Sequence, residues 1–211
     1  MLDNLEDKSL VADGVINEGY ISTILGLKGI TRAAEEVMVA RDVLLSEVVD
    51  TPVHIAHVST KGSVEIIRQG KARGVPVTCE TAPHYFSATD GWVEGYDTNT
   101  KVNPPLRTDE DVAAIREGLR DGTIDIIATD HAPHHRDEKE VEYDLAEFGI
   151  SGFETAFSLS YTHLVDTGIL TLEELSGKLS TIPAKILGIQ GGILDTGLPA
   201  DITIVNTGME Y

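Results

Sequence analysis

The sequence predicts an α/β fold in which parallel strands alternate with helices. Three short apolar or β-branched runs predict the strands: "VHIAHVS" (53–59), "VPVTCETAPHYF" (75–86) and "TIDIIATD" (123–130). Stretches with apolar residues three or four positions apart, a spacing typical of helices, lie before and between these runs. Alternation of this kind implies parallel strands that are joined by right-handed crossovers.

The first predicted helix covers residues 31–50. Its apolar residues recur every three or four positions, at Ala33, Val37, Ala40, Leu44 and Val48. This spacing predicts an amphipathic helix, and Thr31 is suited to be its N-cap.

The remaining predicted elements follow in order along the chain. A second helix ends at Gly74, a residue suited to a left-handed C-cap, and a third begins after Thr108 as its N-cap. Their ranges are 60–74 and 108–122, and they are followed by helices over 153–165, 171–180 and 183–189 and by a last strand over 200–206.

Two architectures fit this order, an open doubly wound sheet and part of a (β/α)8 barrel. The first strand–helix turn has no glycine-rich phosphate loop, which argues against a dinucleotide-binding sheet. A complete barrel needs about 250 residues, and this chain has 211. The sequence therefore favours the later part of a barrel.

The composition excludes several classes of partner. The chain has 16 Lys and Arg against 35 Asp and Glu, a formal charge of −19, so nucleic acid and anionic membrane surfaces would be repelled. No apolar run approaches the roughly 18 residues of a membrane span. With one cysteine, Cys79, and an acidic N-terminus without an apolar segment, we expect a cytoplasmic protein.

Titratable residues follow the predicted strands. His57 lies near the end of the first strand, and Asp130 ends the third and opens "DHAPHH". Because side chains alternate along a β-strand, His57 is expected on the same face as Val53 and Ile55. If this face lines the interior of a barrel, His57 and Asp130 meet at the mouth of the barrel. Imidazole and carboxylate together suit a divalent metal such as zinc, which activates water, and Asp130 could move its proton.

Purely structural roles for these residues are alternatives to a metal site. His57 could be a hydrogen-bonded strand-end residue, Asp130 a turn residue, and His131, His134 and His135 a solvated loop. His54 alternates away from His57 and is expected behind the strand. From spacing alone, these alternatives stay open.

Four segments give the chain a family resemblance. They are "HVST" (57–60), "NPPLR" (103–107), "DGTIDIIATDHAPH" (121–134) and "FGISGFETAF" (148–157). Together they resemble dihydroorotases of the bacterial class I type, members of the amidohydrolase superfamily of metal-bearing (β/α)8 barrels. The resemblance implies that residues 1–190 form the C-terminal part of such a barrel and that 191–211 begin a small β-domain.

The resemblance also implies roles for individual residues. His57 and Asp130 match residues that bind one or two divalent metal ions, such as zinc, in the family. Asp130 also matches the catalytic acid/base. Asn103 and His134 match residues that contact the substrate. Phe148 and Gly149 match a loop whose backbone touches the pyrimidine ring. The implied reaction is reversible hydrolysis of dihydroorotate to N-carbamoyl-aspartate in pyrimidine biosynthesis.

Other residues near these motifs have structural interpretations. His84 is expected to be structural or to stand behind the ligands. Arg107 is expected to form a buried ion pair that supports its loop.

Parts of the family pattern cannot be placed in the sequence. The "HxH" strand, an Arg for the substrate carboxylate and a bridging acidic group have no match, and "NLED" aligns with an "HCED" motif so that Asn4 and Leu5 replace its His and Cys. Two ligands do not close a zinc site. We therefore expect a truncated chain that binds metal weakly and catalyses poorly alone, with open sheet edges that favour a homo-oligomer.

Two other functions remain open at this point. One is an inactive homologue that serves as an assembly partner, for instance of aspartate carbamoyltransferase. The other is a related cyclic amidase, such as a hydantoinase or an allantoinase.

Overall fold

The strands form a parallel sheet, as predicted. The computed structural model describes residues 2–3 and 6–209. Its main sheet has four parallel strands, β1 (Leu2–Asp3), β4 (Val53–Ile55), β5 (Val77–Thr81) and β6 (Ile126–Ile127). Their order in the sheet is β1-β4-β5-β6, and neighbours in this order are hydrogen-bonded to each other. A second sheet pairs β2 (Ile16–Asn17) with β3 (Gly29–Ile30), and the sequence predicted neither this sheet nor β1.

Three helices cover one side of the main sheet. They are α3 (Ala33–Val49), α4 (Lys61–Ala72) and α6 (Asp109–Asp121). Thr108 caps α6 as predicted, because its side chain and that of Asp111 bond each other's backbone N–H groups. Gly74 follows the end of α4 with φ +85°, also as predicted. The short helices are α1 (Lys8–Val11), α2 (Tyr20–Leu25), α5 (Pro83–Ser87) and α7 (Arg136–Lys139).

The predicted second strand is too long. The extended part ends at Thr81, and α5 begins with Pro83, whose fixed φ and missing N–H favour the first turn of a helix.

The predicted face of α3 is wrong. Val37, Leu44 and Val48 are 44, 56 and 82% exposed, whereas Val39 and Val43 are buried. Thr31 is not the N-cap either, since the helix starts after Arg32 without a side-chain cap. The helix carries apolar residues on both faces, and its buried face includes polar residues that find partners in the protein, so spacing alone selects the wrong face.

The main core lies between the sheet and the helices. Ile55, Cys79 and Ile127 contribute to it from the strands. Cys79 is fully buried, its thiol donates to the Thr123 carbonyl at 3.2 Å, and burial raises its pKa to about 12. Val53 and Ile55 belong to this core between the sheet and the helices. Because they face the helices, the prediction that they lie on the interior face of a barrel is wrong.

The C-terminal region is helical as predicted up to residue 187. Here α8 (Ala156–Ser160) continues as a π-helical turn (Tyr161–Val165), and α9 (Leu172–Ser176) continues through a π-helical turn (Gly177–Thr181) into α10 (Ile182–Leu187). The predicted strand over 200–206 is wrong: these described residues form no strand. Ile202 and Ile204 are 60 and 92% exposed, and a strand needs a neighbour to satisfy its backbone.

Within the described residues, no helix is both long enough and apolar enough to cross a membrane.

Candidate active site

His57 and Asp130 lie just beyond the carboxyl ends of β4 and β6. Both have a left-handed backbone, with φ +56° and +46°. This conformation is uncommon for residues other than glycine, although His and Asp tolerate it better than most. The reversal at His57 turns its side chain to the face of the sheet opposite Ile55, which is why alternation predicted the wrong face for it.

The two side chains nevertheless come together. His57 Nε2 lies 3.9 Å from Asp130 Oδ1, and the side chains are 28 and 22% exposed. This distance is too long for a hydrogen bond. It leaves an imidazole nitrogen and a carboxylate oxygen side by side at the edge of the sheet.

A third residue, Glu80 on β5, joins this group. Its Oε1 lies 3.5 Å from His57 Nδ1, and its Oε2 lies 3.2 Å from His54 Nε2. His54 Nδ1 in turn lies 2.8 Å from Thr78 Oγ1. The strand register explains this cluster, because His54 is level with Thr78 and β-strand alternation puts Glu80 on the same face.

The sequence analysis missed Glu80 and misplaced His54. His54 does not pack apart from His57, since both histidines reach the same carboxylate. The signal for Glu80 was available: it lies two residues from Thr78 in a strand whose alternate residues, Val77 and Cys79, are apolar and buried.

His84, on α5, is buried in the neighbourhood of His57. It is 7% exposed. Burial, and to a smaller extent the nearby His57, lowers the pKa of His84 to about 3. Its Nε2 is buried and has no hydrogen-bond partner within the described part of the chain, so His84 is neutral at physiological pH.

A second group contains three of the predicted substrate residues. His134 Nε2 donates to the Phe148 carbonyl at 2.9 Å, and the Gly149 N–H donates to the Lys101 carbonyl at 2.9 Å. A Cβ at Gly149 would lie 2.4 Å from the Ala132 carbonyl oxygen, so the two loops meet only because this residue is glycine. His134 and Gly149 line a cleft of about 220 Å³.

Asn103, the remaining predicted substrate residue, belongs to a third group. Its Nδ2 donates to Glu6 Oε2 at 2.5 Å. Asn103 Oδ1 and Glu6 Oε1 are buried and have no hydrogen-bond partner among residues 6–209. Burial raises the pKa of Glu6, and the hydrogen bond from Asn103 opposes that rise. Both residues line a cleft of about 330 Å³ with Lys8, Val11 and Ala12.

Arg107 forms the buried ion pair that the sequence predicted. Its Nη2 lies 3.6 Å from Glu35 Oε2, with the side chains 1 and 0% exposed. It also donates to Ser59 Oγ at 3.2 Å and to Asn17 Oδ1 at 3.0 Å. Arg107 thereby ties the "NPPLR" loop to the segment that follows His57.

The donors at the sheet edge fit part of a metal site. His57 and Asp130 supply an imidazole nitrogen and a carboxylate oxygen, a combination that zinc accepts, and 3.9 Å leaves room for a cation between them. In the described part of the chain, no group of three or more His, Cys, Asp or Glu side chains is arranged to hold a metal. Asn4 and Leu5, which align with a family ligand motif, lie outside the described residues.

Comparison with known proteins identifies the class first. Residues 18–211 match the sequence profile of the amidohydrolase family, and the chain belongs to that family. Its curated relatives are more specific. Proteins named dihydroorotase from Pelotomaculum thermopropionicum and Geobacter metallireducens are each 61% identical to it over 206 residues, and one from Acetivibrio thermocellus is 59% identical over 211. The alignments cover 98–100% of this chain but only 48–50% of the relatives, so the chain spans about half their length.

Solved structures of hydantoinases share the fold. An L-hydantoinase (dihydropyrimidinase) from Arthrobacter aurescens superimposes with a TM-score of 0.82 at 28% identity, over 94% of this chain and 46% of that one. A D-hydantoinase (dihydropyrimidinase) from Thermus sp. superimposes with a TM-score of 0.75 at 26% identity, over 80% of this chain and 39% of that one. The chain therefore belongs to the amidohydrolase family and shares its fold with hydantoinases.

Proposed function

We propose that the chain contributes the catalytic acid/base, Asp130, and two metal ligands, His57 and Asp130, to a dihydroorotase, which hydrolyses dihydroorotate to N-carbamoyl-aspartate in pyrimidine biosynthesis. The observation that carries the proposal is the approach of His57 and Asp130 to 3.9 Å at the carboxyl edge of the sheet. Relatives that are about 60% identical along the whole chain and are named dihydroorotase support the choice of reaction.

In this proposal, His57 and Asp130 hold a divalent cation, zinc in the first instance, together with ligands from outside the described residues. Such a cation, when bound, lowers the pKa of water and polarises the scissile carbonyl. Asp130 would accept the proton of the attacking water and deliver it to the ring nitrogen that leaves as the amide C–N bond breaks. A carboxylate beside the reacting atoms can perform both transfers, as general base and then as general acid.

The substrate residues have distinct tasks. Asn103 Oδ1 is an acceptor without a partner in the described chain, so it suits an N–H of the ring. His134 holds the Phe148 carbonyl and thus the loop whose backbone, at Phe148 and Gly149, contacts the ring. The His57, His134 and Asn103 groups form no hydrogen bonds with one another among the residues described, and the proposal requires all three to border one substrate pocket.

The proposed architecture is a partial (β/α)8 barrel in residues 1–190, followed by the start of a small β-domain in 191–211. The parallel sheet with helices on one side supports it. Its edge strands β1 and β6 would pair with the rest of the barrel or with another copy in a homo-oligomer. Aspartate carbamoyltransferase is the further partner proposed, and the proposed location is the cytoplasm.

The test uses purified chain with and without added zinc. Bound metal is measured by elemental analysis, and hydrolysis is followed with dihydroorotate, hydantoin and allantoin side by side. We expect zinc-dependent turnover of dihydroorotate at a low rate, and loss of both zinc and turnover in Asp130→Asn with an unchanged free energy of unfolding. Zinc binding without turnover of any substrate would favour an inactive assembly partner, and preference for hydantoin or allantoin would favour another cyclic amidase.

A further inference from the structure

We propose that Glu80 is a positioning residue that fixes the tautomer of His57, so that His57 presents Nε2 as its metal-binding atom. The role in metal binding rests on the proposed function. The tautomer itself is a property of the metal-free chain and can be measured without it.

The first step concerns His57 Nδ1, which has few possible partners. The atom is buried and makes no hydrogen bond within the described part of the chain. Glu80 Oε1 lies 3.5 Å away, so a closure of about half an ångström would bring it to hydrogen-bonding distance. A carboxylate oxygen in this position accepts a hydrogen bond from an Nδ1–H group, so the geometry favours the tautomer with the hydrogen on Nδ1.

The second step concerns the orientation of Glu80 itself. Its other oxygen, Oε2, faces His54 Nε2 at 3.2 Å, so this nitrogen must be the donor. The neutral His54 ring then has its acceptor at Nδ1, where the Thr78 hydroxyl donates at 2.8 Å. One imidazole N–H is thus available for each oxygen of Glu80. His54, which has no other function in the proposed mechanism, holds the Glu80 carboxylate in place.

The third step follows from the hydrogen at Nδ1. Neutral His57 then has a lone pair at Nε2, and this lone pair faces a carboxylate oxygen of Asp130 at 3.9 Å. Two acceptors in this position repel each other unless a cation lies between them. With the opposite tautomer, Nε2–H would donate to Asp130 and compete with the cation. Glu80 therefore favours the tautomer in which His57 and Asp130 can both bind a metal.

The test is nitrogen NMR of the metal-free, 15N-labelled chain at a pH about two units above the usual imidazole pKa of about 6.5. The chain has seven histidines, and His57→Gln assigns the His57 signals by their loss. The variants are Glu80→Ala, which removes the acceptor, and Glu80→Gln, which keeps an acceptor oxygen of the same reach. Glu47→Ala is the matched control, because Glu47 pairs with Arg73 on the exposed surface.

We expect His57 to be mainly Nδ1-protonated in the unmodified chain and in Glu47→Ala, to lose that preference in Glu80→Ala, and to regain part of it in Glu80→Gln. Zinc affinity, measured by competition with a chromophoric chelator, should fall about 10–100-fold in Glu80→Ala. An Nε2-protonated His57 in the unmodified chain would overturn the inference, and this measurement needs no variant other than His57→Gln, which assigns the signals. If the tautomer is as expected but no zinc binds, the metal site of the proposed function fails while the role of Glu80 stands.

Discussion

Replacement of Arg107 by Met should destabilise the fold more than loss of any surface charge. Met keeps most of the apolar length of the side chain but removes the guanidinium. The structure then loses three hydrogen bonds, to Ser59 Oγ, Asn17 Oδ1 and the Ile30 carbonyl, at 3.2, 3.0 and 3.2 Å. It also leaves Glu35 as a fully buried carboxylate without its cation.

The magnitude follows from the stranded charge. Breaking a buried ion pair by removing one partner costs about 3–5 kcal/mol. Glu35 retains N–H donors from Ser59 and Thr60, at 3.0 and 3.2 Å, which keep the loss from being larger. We expect Arg107→Met with Glu35→Gln to recover part of the stability, because the second change removes the unpaired charge.

The assay is urea unfolding followed by circular dichroism for both single variants and the double variant. Arg73→Met is the control, since it breaks the exposed pair with Glu47, a pair worth about 0–1 kcal/mol. A loss below about 1 kcal/mol in Arg107→Met, or strictly additive single variants, would refute the view that this ion pair holds the loops together.

Two further variants test other parts of the fold. Gly149→Ala should destabilise by about 1–3 kcal/mol, because its Cβ would meet the Ala132 carbonyl; Gly95→Ala, also at positive φ but with no atom within 4 Å of the new Cβ, should cost less by urea unfolding. His84 has a folded pKa of about 3 against about 6.5 when unfolded, so the unfolded state binds more protons between these values. Stability should therefore fall as the pH drops from about 6.5 toward 3, by at most about 1.4 kcal/mol per pH unit from this group. A pH series of urea unfolding should be flatter in His84→Phe and unchanged in His135→Gln, whose ring is exposed; equal slopes in His84→Phe and the unmodified chain would contradict the assignment.

The sequence predicted the parallel alternation of three strands with helices, the main helices and the meeting of His57 with Asp130, because these depend on apolar period and on where strands end. It failed where one residue changes the local geometry. The left-handed backbone at His57 reverses the side chain, so the approach to Asp130 was predicted from the wrong face. Alternation within β5 places Glu80 on the polar face of the strand, but its partner His54 depends on the register between β4 and β5, which no pattern within one segment contains.

The failures at the chain's surface have a different cause. On α3, the apolar residues at 37, 44 and 48 looked like a buried stripe, but Glu35 lies on the buried face because Ser59 and Arg107 provide partners for it. For residues 200–206, the β-branched composition predicts a strand, yet a strand forms only beside a neighbour that accepts its hydrogen bonds.

The burial of Cys79 has a practical consequence for spectroscopy. Its thiol is the only one in the sequence, and a group with no exposed surface and a pKa of about 12 yields almost no thiolate for alkylation near neutral pH. A cysteine introduced at a solvent-facing position, such as Val48 on α3, would accept a maleimide dye or spin label without first mutating the native one. Site-selective labelling of the otherwise unmodified polypeptide is therefore available for distance measurements in any assembly that it forms.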